Sequence, residues 1–172
     1  MSLKQQKAGI KRFLRRTSEW LGNKRVSRPG WYDMDRKLEK FLPDGPGFFI
    51  EAGAHNGYAL SNTYFLERIK GWKGILIEAI PEQARECRRE RKKSKVFNCA
   101  LVADDYGRDE IEIHEASLMS VIADTMEKEQ EQEHLQKAAQ FERDLSLAKI
   151  KVPARTLTSI IEECKVERID FF

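Results

Sequence analysis

Two short apolar runs, each carrying a glutamate near its end, constrain the fold of this chain more than any other feature. The first covers residues 48–52 and carries Glu51, and the second covers residues 74–79 and carries Glu78. Unbroken apolar runs of this length are typical of parallel strands that are buried on both faces. A helix is predicted between them over residues 59–70, because Gly71 is a stop signal. The resulting strand–helix–strand order predicts an α/β fold.

The same alternation of strands and helices predicts the rest of the sheet. Pro81 opens a second helix through about Lys92, and residues 95–101 form a third strand. Right-handed crossovers then give a parallel sheet in the order 3-2-1, with helices on both faces. Residues 169–172 begin another buried strand, which we expect beside the first strand, giving the order 3-2-1-4.

Other segments carry weaker signals. Residues 110–114 alternate like an exposed strand, and Thr158 is placed to cap a helix through Cys164. Short helices are also predicted over residues 4–21 and 32–42, and a strongly polar one over about residues 123–149. We therefore expect a basic helical extension at 1–46 and the main domain at 47–172, with a charged helical insertion at about 120–150.

Composition narrows the class of protein. With 172 residues, 34% charged and 41% hydrophobic, the chain suits one soluble globular domain. No apolar run approaches the roughly 20 residues that span a bilayer, so we do not expect an integral membrane protein. Cys87, Cys99 and Cys164 form no CxxC pair, which argues against a disulfide framework and against a cysteine-rich zinc site. We therefore expect a reducing, cytoplasmic setting and no metal.

Positive charge is concentrated at the start of the chain. Residues 1–40 carry a net charge of +8, against −5 for the remainder. A second basic cluster, Arg85–Lys95, holds seven cations and two glutamates. Such clusters are either solvated faces, which the mixed charge of the chain favours, or surfaces for nucleic acid or anionic membrane. No aromatic-rich platform accompanies them, which argues against a nucleic-acid partner.

The helix at residues 4–21 leaves two interpretations open. Its apolar positions follow helical spacing and most of its cations fall on other faces; these apolar positions are Ile10, Phe13, Leu14 and Leu21. The helix is either docked on the domain or lies on anionic lipid as an interfacial helix. The small number of large apolar residues favours docking, with peripheral membrane contact as the alternative.

The loop after the first strand carries the chemistry. Glu51 is followed by Gly53 and Gly57, in the pattern (E/D)-x-G-x-x-x-G, which is similar to the first motif of S-adenosylmethionine-dependent methyltransferases. The dinucleotide fingerprint GxGxxG fails, because His55 stands at its second glycine position. Glu78 follows Glu51 by 27 residues, at the end of the second strand, where a carboxylate accepts hydrogen bonds from ribose hydroxyls. Together these residues indicate a site for an adenosine-containing cofactor.

The sequence around this motif resembles the FkbM-type methyltransferase family, especially its Star-like branch. The resemblance covers about residues 47–115 and 152–172, in the segments FFIEAGAHNGYALSNTYFLERIKGWKGILIEAIPE, FNCALVADDYG, VPARTLTSII and IDFF. It implies a Rossmann-like class I methyltransferase fold. It also implies methyl transfer from S-adenosylmethionine, usually to a hydroxyl oxygen, with a small molecule, a glycan or a lipid-linked compound as acceptor.

The resemblance also assigns residues to the cofactor site. Those matched to it are Glu51, Gly53, His55, Gly57, Glu78, Cys99 and Ala100, the last two through backbone contacts in the adenine pocket. Ser61 and Asn62 match the start of the first helix, which they would cap and position. No catalytic residue is assigned, and His55 is the histidine that falls in the cofactor loop.

The family pattern continues with an acidic DxEG segment after the strand at residues 169–172, and the given sequence stops before it. We therefore expect a methyltransferase domain without its C-terminal strands, with an exposed strand edge, a tendency to self-associate and no methyl transfer by itself. The alternative is a non-catalytic Rossmann-like protein that binds a partner or a membrane surface through its basic extension and charged helix.

Overall fold

A computed structural model describes residues 3–114, 121–122 and 149–172 of the chain. The α-helices in these ranges are α1 (Leu3–Trp20), α2 (Met34–Glu39), α3 (Tyr64–Arg68), α4 (Pro81–Glu90) and α5 (Leu157–Cys164). The strands are β1 (Phe48–Ala52), β2 (Lys73–Ile77), β3 (Lys95–Phe97), β4 (Ala100–Val102), β5 (Glu110–His114), β6 (Val121–Ile122) and β7 (Lys149–Thr156). The helix predicted over residues 123–149 lies outside the described residues, apart from its last position.

A parallel sheet with the order β1-β2-β3 forms the centre of the fold. Ile50 pairs with Ile75 across β1 and β2, and Ile75 also pairs with Lys95 of β3. On the other edge of β1, Phe49 forms a parallel bridge with Phe171, and the Ile50 N–H donates to the Phe171 carbonyl at 2.9 Å. The predicted α/β architecture with a parallel sheet is therefore confirmed.

Successive side chains of a strand point to opposite faces of the sheet. Both faces of this sheet carry apolar side chains, and helices cover both of them. Phe49 and Leu76 face α3 and α4, where they pack with Leu66 and Cys87. Ile50, Ile75 and Ile77 face the other way and pack against Ile160 of α5. Both clusters are almost fully buried, and each large apolar side chain in them contributes about 1.5–3 kcal/mol to stability. The carboxyl ends of β1 and β2 are thereby fixed next to each other.

The third predicted strand is wrong as a single element, because the chain turns at Asn98. The side-chain amide of Asn98 donates to the carbonyls of Glu78 and Ala79, at 2.9 and 2.8 Å, and holds the chain at the end of β2. Residues 95–97 form β3, but β4 leaves the sheet and pairs in parallel with β7. β7 also pairs with β5, which is antiparallel to it and to β6, giving a second sheet in the order β4-β7-β5-β6.

Two predicted helix boundaries are also corrected. The helix predicted over residues 59–70 is α3 alone, because hydrogen-bonded turns occupy the preceding residues: the side-chain oxygen of Asn56 accepts the Tyr58 and Ala59 N–H groups. The cap of α5 is Thr156 instead of Thr158, since the Thr156 hydroxyl oxygen accepts the Ser159 N–H at 3.1 Å. The predicted alternation in β5 is present, with Ile111 and Ile113 buried.

The N-terminal helix α1 is docked on α3 and α4 through its polar side. Arg12 pairs with Glu86 at 2.6 Å, and Arg15 pairs with Glu90 at 2.5 Å. Glu19 pairs with Arg68 of α3 at 2.7 Å. The docked arrangement favoured by the sequence is therefore present, but ion pairs make the contact. No helix in the described ranges is long and apolar enough to cross a membrane.

Candidate functional site

A glycine turn at the end of β1 leaves open space where the two central strands end. The N–H groups of Gly53 and Ala54 both donate to the Ile77 carbonyl, at 2.9 and 3.0 Å, and tie the turn to the end of β2. Gly53 has a φ of +71°, which favours glycine, and a Cβ built there would meet no atom within 4 Å. The turn therefore holds its shape while one side remains accessible to a ligand.

Glu78 lies beside this turn and is 8% exposed. Its carboxylate accepts the His55 N–H at 2.7 Å through one oxygen and the Ile80 N–H at 2.8 Å through the other. Burial raises the pKa of Glu78, although the backbone hydrogen bonds act in the opposite direction. Within the described part of the chain, no cation forms an ion pair with it. A carboxylate has about four lone-pair positions, so each oxygen can still accept a hydrogen bond from a ligand.

Glu51 is the fourth residue of β1 and pairs with Leu76 of β2, and its carboxylate turns towards the loop before α3. It accepts hydrogen bonds from the Ser61 hydroxyl at 2.9 Å and the Thr63 hydroxyl at 2.6 Å. The Asn62 N–H adds a third at 3.1 Å, and the Arg91 guanidinium lies 3.5 Å away. Glu51 therefore fixes the loop that follows the glycine turn.

Arg91 completes this loop and was missed by the sequence analysis, which placed it in a basic cluster of solvated faces. It is 2% exposed and pairs with Glu67 at 2.9 Å. Its guanidinium also donates to the Gly57 carbonyl, the Ser61 hydroxyl and the Thr63 hydroxyl. The available signal was helical spacing, since position 91 follows the buried Ala84 and Cys87 by seven and four residues.

Gly57 has a different role from Gly53. Its φ is +79°, and a Cβ built there would lie 2.8 Å from Cγ of Arg91 and 3.0 Å from Sγ of Cys87. The absence of a side chain at Gly57 therefore lets the loop pack against the end of α4. Of the two motif glycines, Gly53 is the one that faces open space.

The remaining predicted residues are divided between the site and the core. His55 is half-buried in the glycine turn, with a φ of +48° and its N–H on Glu78. Cys99 and Ala100 follow Asn98 at the end of β3 and are both buried. The Cys99 side chain packs in the core with Ile50 and Ile75, and burial raises the pKa of its thiol. Asn98, which the sequence analysis did not select, is the side chain that joins this segment to Glu78.

The arrangement fits a ligand that carries a pair of hydroxyl groups. Glu78 offers acceptor positions, and Gly53 offers space beside them. Open parallel α/β sheets bind ligands at the carboxyl ends of their strands, which is where these residues lie. The fold and the site therefore define an α/β protein with a candidate ligand site of the nucleotide-binding kind.

Comparison with known proteins identifies the family. The methyltransferase FkbM domain matches residues 51–172, which is more than half of the chain. The chain therefore belongs to the FkbM methyltransferase domain family, and the resemblance noted in the sequence is confirmed. The enzyme class and cofactor inferred from that resemblance, a methyltransferase that depends on S-adenosylmethionine, are those of this family.

One similar solved structure is a TehB-like SAM-dependent methyltransferase from Corynebacterium glutamicum. It is 13% identical to this chain, with a TM-score of 0.36, and the match covers 55% of this chain. The chain spans about half the length of that protein, 48%. No curated protein matches the chain.

Proposed function

We propose that this protein is an S-adenosylmethionine-dependent methyltransferase of the Rossmann-like class I fold. The observation that carries the proposal is the buried carboxylate of Glu78, which keeps acceptor positions free beside the open turn at Gly53. Family membership over residues 51–172 supports the same activity.

In this proposal, Glu78 accepts hydrogen bonds from the two ribose hydroxyls of the cofactor. Gly53 leaves room for the cofactor against the backbone of the turn, and His55 lines that turn. The backbone of Cys99 and Ala100 lies against the adenine. Glu51 and Gly57 act indirectly, since the structure places both in contact with the packed loop and with Arg91.

The cofactor would supply an electrophilic methyl group on its sulfonium, and the chain would supply alignment. Methyl transfer is an in-line displacement, so holding the acceptor oxygen opposite the sulfonium accounts for much of the rate. The two strand ends are rigid because both sheet faces are packed. We propose a hydroxyl oxygen of a small molecule, a glycan or a lipid-linked compound as the acceptor.

We propose a reducing, cytoplasmic setting for this activity, on the cysteine pattern of the sequence. Cys87, Cys99 and Cys164 are all free thiols. Cys87 and Cys99 are buried, and burial raises the pKa of Cys87 to about 12.

Calorimetry with S-adenosylhomocysteine, the demethylated product, tests the cofactor site. We expect the wild-type chain to bind it, and Glu78→Ala to weaken binding by about 1.5–3 kcal/mol through loss of charge-assisted hydrogen bonds. Glu82→Ala is the matched control, because that carboxylate is half exposed on α4. A wild-type chain that does not bind, or a Glu78→Ala variant that binds equally well, would favour the non-catalytic interaction protein.

A further inference from the structure

Helix α1 exposes its apolar side and turns its charged side to the domain. Five large apolar side chains are mostly exposed: Ile10 (60%), Phe13 (69%), Leu14 (61%), Trp20 (83%) and Leu21 (71%). Their spacing of three, four and seven residues places them on one stripe of the helix surface. We call this stripe the outer face of α1. A helix that only covered a domain would normally turn such a stripe inwards.

The polar side is too strongly held for the helix to turn over. Arg15 lies 3.6 Å above the centre of the Tyr58 ring and pairs with Glu90, which is also paired with Arg12. Burial alone would lower the pKa of Arg15, but the hydrogen bond and charge of Glu90 outweigh it and raise the pKa, so the guanidinium stays charged. The carboxylate of Glu19 pairs with Arg68 on α3. Turning α1 would break all of these contacts, so the outer face stays exposed.

An exposed stripe of this kind indicates an interaction surface. Soluble monomers seldom expose apolar patches beyond a few hundred square ångströms, and larger ones mark sites for proteins, membranes or ligands. Single exposed apolar residues are common, but here four lie on one side of α1 and Leu21 follows directly after the helix on the same side.

The charges around the outer face select the partner. Lys7 and Lys11 are exposed on α1, and Lys24 and Arg25 follow it, also exposed. Glu19 is the sole acidic residue in the first 32 residues, and its side chain is 3% exposed because it faces Arg68. Within the first 32 residues, the apolar stripe is therefore accompanied by accessible positive charge without accessible negative charge.

An anionic lipid bilayer matches this combination. Helices that lie in a membrane interface bury a stripe of Trp, Phe and Leu below the headgroups and place lysines against the anionic ones. Trp20 is the most exposed of these side chains, and tryptophan is enriched at membrane–water interfaces. We propose that the outer face of α1 is a peripheral binding surface for anionic lipid, while its inner side remains docked on the domain.

This proposal joins the two interpretations that the sequence left open. Docking uses Arg12, Arg15 and Glu19, whereas lipid contact uses the opposite side of the same helix. The two contacts are compatible, because they share no side chain. The proposal is also independent of methyl transfer, since none of its residues belongs to the cofactor site.

Vesicle co-sedimentation tests the surface directly. We compare vesicles of phosphatidylcholine alone with vesicles that also contain phosphatidylserine, at low and high salt. We expect binding to the anionic vesicles at low salt, with a marked loss at high salt because exposed charges are screened. Absence of binding to anionic vesicles at low salt would overturn the proposal.

A matched pair of variants at one position separates lipid insertion from general charge attraction. Phe13→Ser should weaken vesicle binding about tenfold or more, because it removes one large apolar side chain from the strip. Phe13→Leu keeps an apolar side chain and should bind within a few-fold of wild type. Phe13 is 69% exposed, so both variants should keep the wild-type melting temperature and the wild-type affinity for S-adenosylhomocysteine. Equal vesicle binding by Phe13→Ser and wild type would contradict the proposal.

Light scattering tests whether the outer face of α1 binds a second copy of this chain instead of lipid. The proposal expects the same mass for wild type and Phe13→Ser in the absence of vesicles. A wild-type dimer that Phe13→Ser converts to a monomer, combined with no vesicle binding, would assign the outer face to self-association and overturn the lipid proposal.

Discussion

The ends of β1 and β2 carry the same residue type in opposite surroundings. Glu51 accepts hydrogen bonds from two hydroxyls and one backbone N–H, with the Arg91 guanidinium 3.5 Å away. Glu78 accepts two backbone N–H groups and, within the described residues, has no cationic partner. Glu51 lies inside β1, opposite Leu76, whereas Glu78 follows the last residue of β2, so the two carboxylates meet different loops.

The hydrogen-bond partners of the two glutamates indicate different roles. Glu51 fixes a loop, whereas Glu78 keeps acceptor positions for a ligand. Glu51 and Arg91 satisfy each other and the hydroxyls of Ser61 and Thr63, so a ligand would have to displace an internal partner. Glu78 is buried, with its pKa raised and acceptor positions left over. We therefore propose different roles for the two glutamates of the motif.

The largest expected effect comes from breaking the Arg91 cluster. Arg91→Met leaves the carboxylates of Glu67 and Glu51 without their buried partner, and should lower the free energy of unfolding by about 3–5 kcal/mol. Arg88→Met removes an exposed arginine from the last turn of α4, just before Arg91, and should change the free energy of unfolding by less than about 0.5 kcal/mol. Urea unfolding measures both, and similar losses in the two variants would show that Arg91 does not hold the loop.

The two motif glycines allow a second comparison between a residue that faces open space and a residue that packs in the loop. Both have positive φ, so Gly53→Ala and Gly57→Ala should each cost about 1–2 kcal/mol of stability from backbone strain. Gly57→Ala should cost about 1–3 kcal/mol more, because its Cβ would crowd Arg91 and Cys87. Gly53→Ala should have the larger effect on S-adenosylhomocysteine affinity. Thermal unfolding and calorimetry of the pair check this, and equal stability losses would contradict the packing role of Gly57.

Local sequence was enough to predict the central strands and the glycine turn. Apolar runs locate β1 and β2, and a glycine two residues after Glu51 predicts the tight turn that Gly53 makes. The break between β3 and β4 was not predictable in this way, because it depends on hydrogen bonds from Asn98 to the distant end of β2. Sequence spacing alone does not show such contacts.

The direction in which side chains face was the second feature that the sequence could not predict. Periodicity correctly places the apolar residues of α1 on one stripe, but it does not show that ion pairs hold the opposite side to the domain. Arg91 shows the opposite outcome, because it is buried although it lies in a basic segment. The sequence of such a segment does not distinguish a buried arginine from an exposed one. In both places, acidic partners distant in sequence decide the outcome, for example Glu67 for Arg91.

The smallest expected effect is a pH dependence of cofactor binding that comes from Glu78. Burial raises the pKa of Glu78 above its ordinary value of 4.5, so the carboxylate becomes protonated at a higher pH than an exposed glutamate would. A protonated carboxyl accepts fewer hydrogen bonds from hydroxyls. Affinity for S-adenosylhomocysteine should therefore weaken as pH falls from neutral towards that raised pKa, and Glu78→Gln should remove this dependence. A pH profile shared by wild type and Glu78→Gln would assign it to another group.

The central claim is that Glu78 contacts the cofactor while Glu51 supports the loop. The most direct test measures unfolding free energy and S-adenosylhomocysteine affinity for Glu78→Gln and Glu51→Gln side by side. We expect Glu78→Gln to lose about tenfold or more in affinity with a stability change within about 1 kcal/mol, and Glu51→Gln to lose about 2 kcal/mol of stability with a smaller change in affinity. The reverse pattern, with affinity lost in Glu51→Gln and retained in Glu78→Gln, would contradict this assignment.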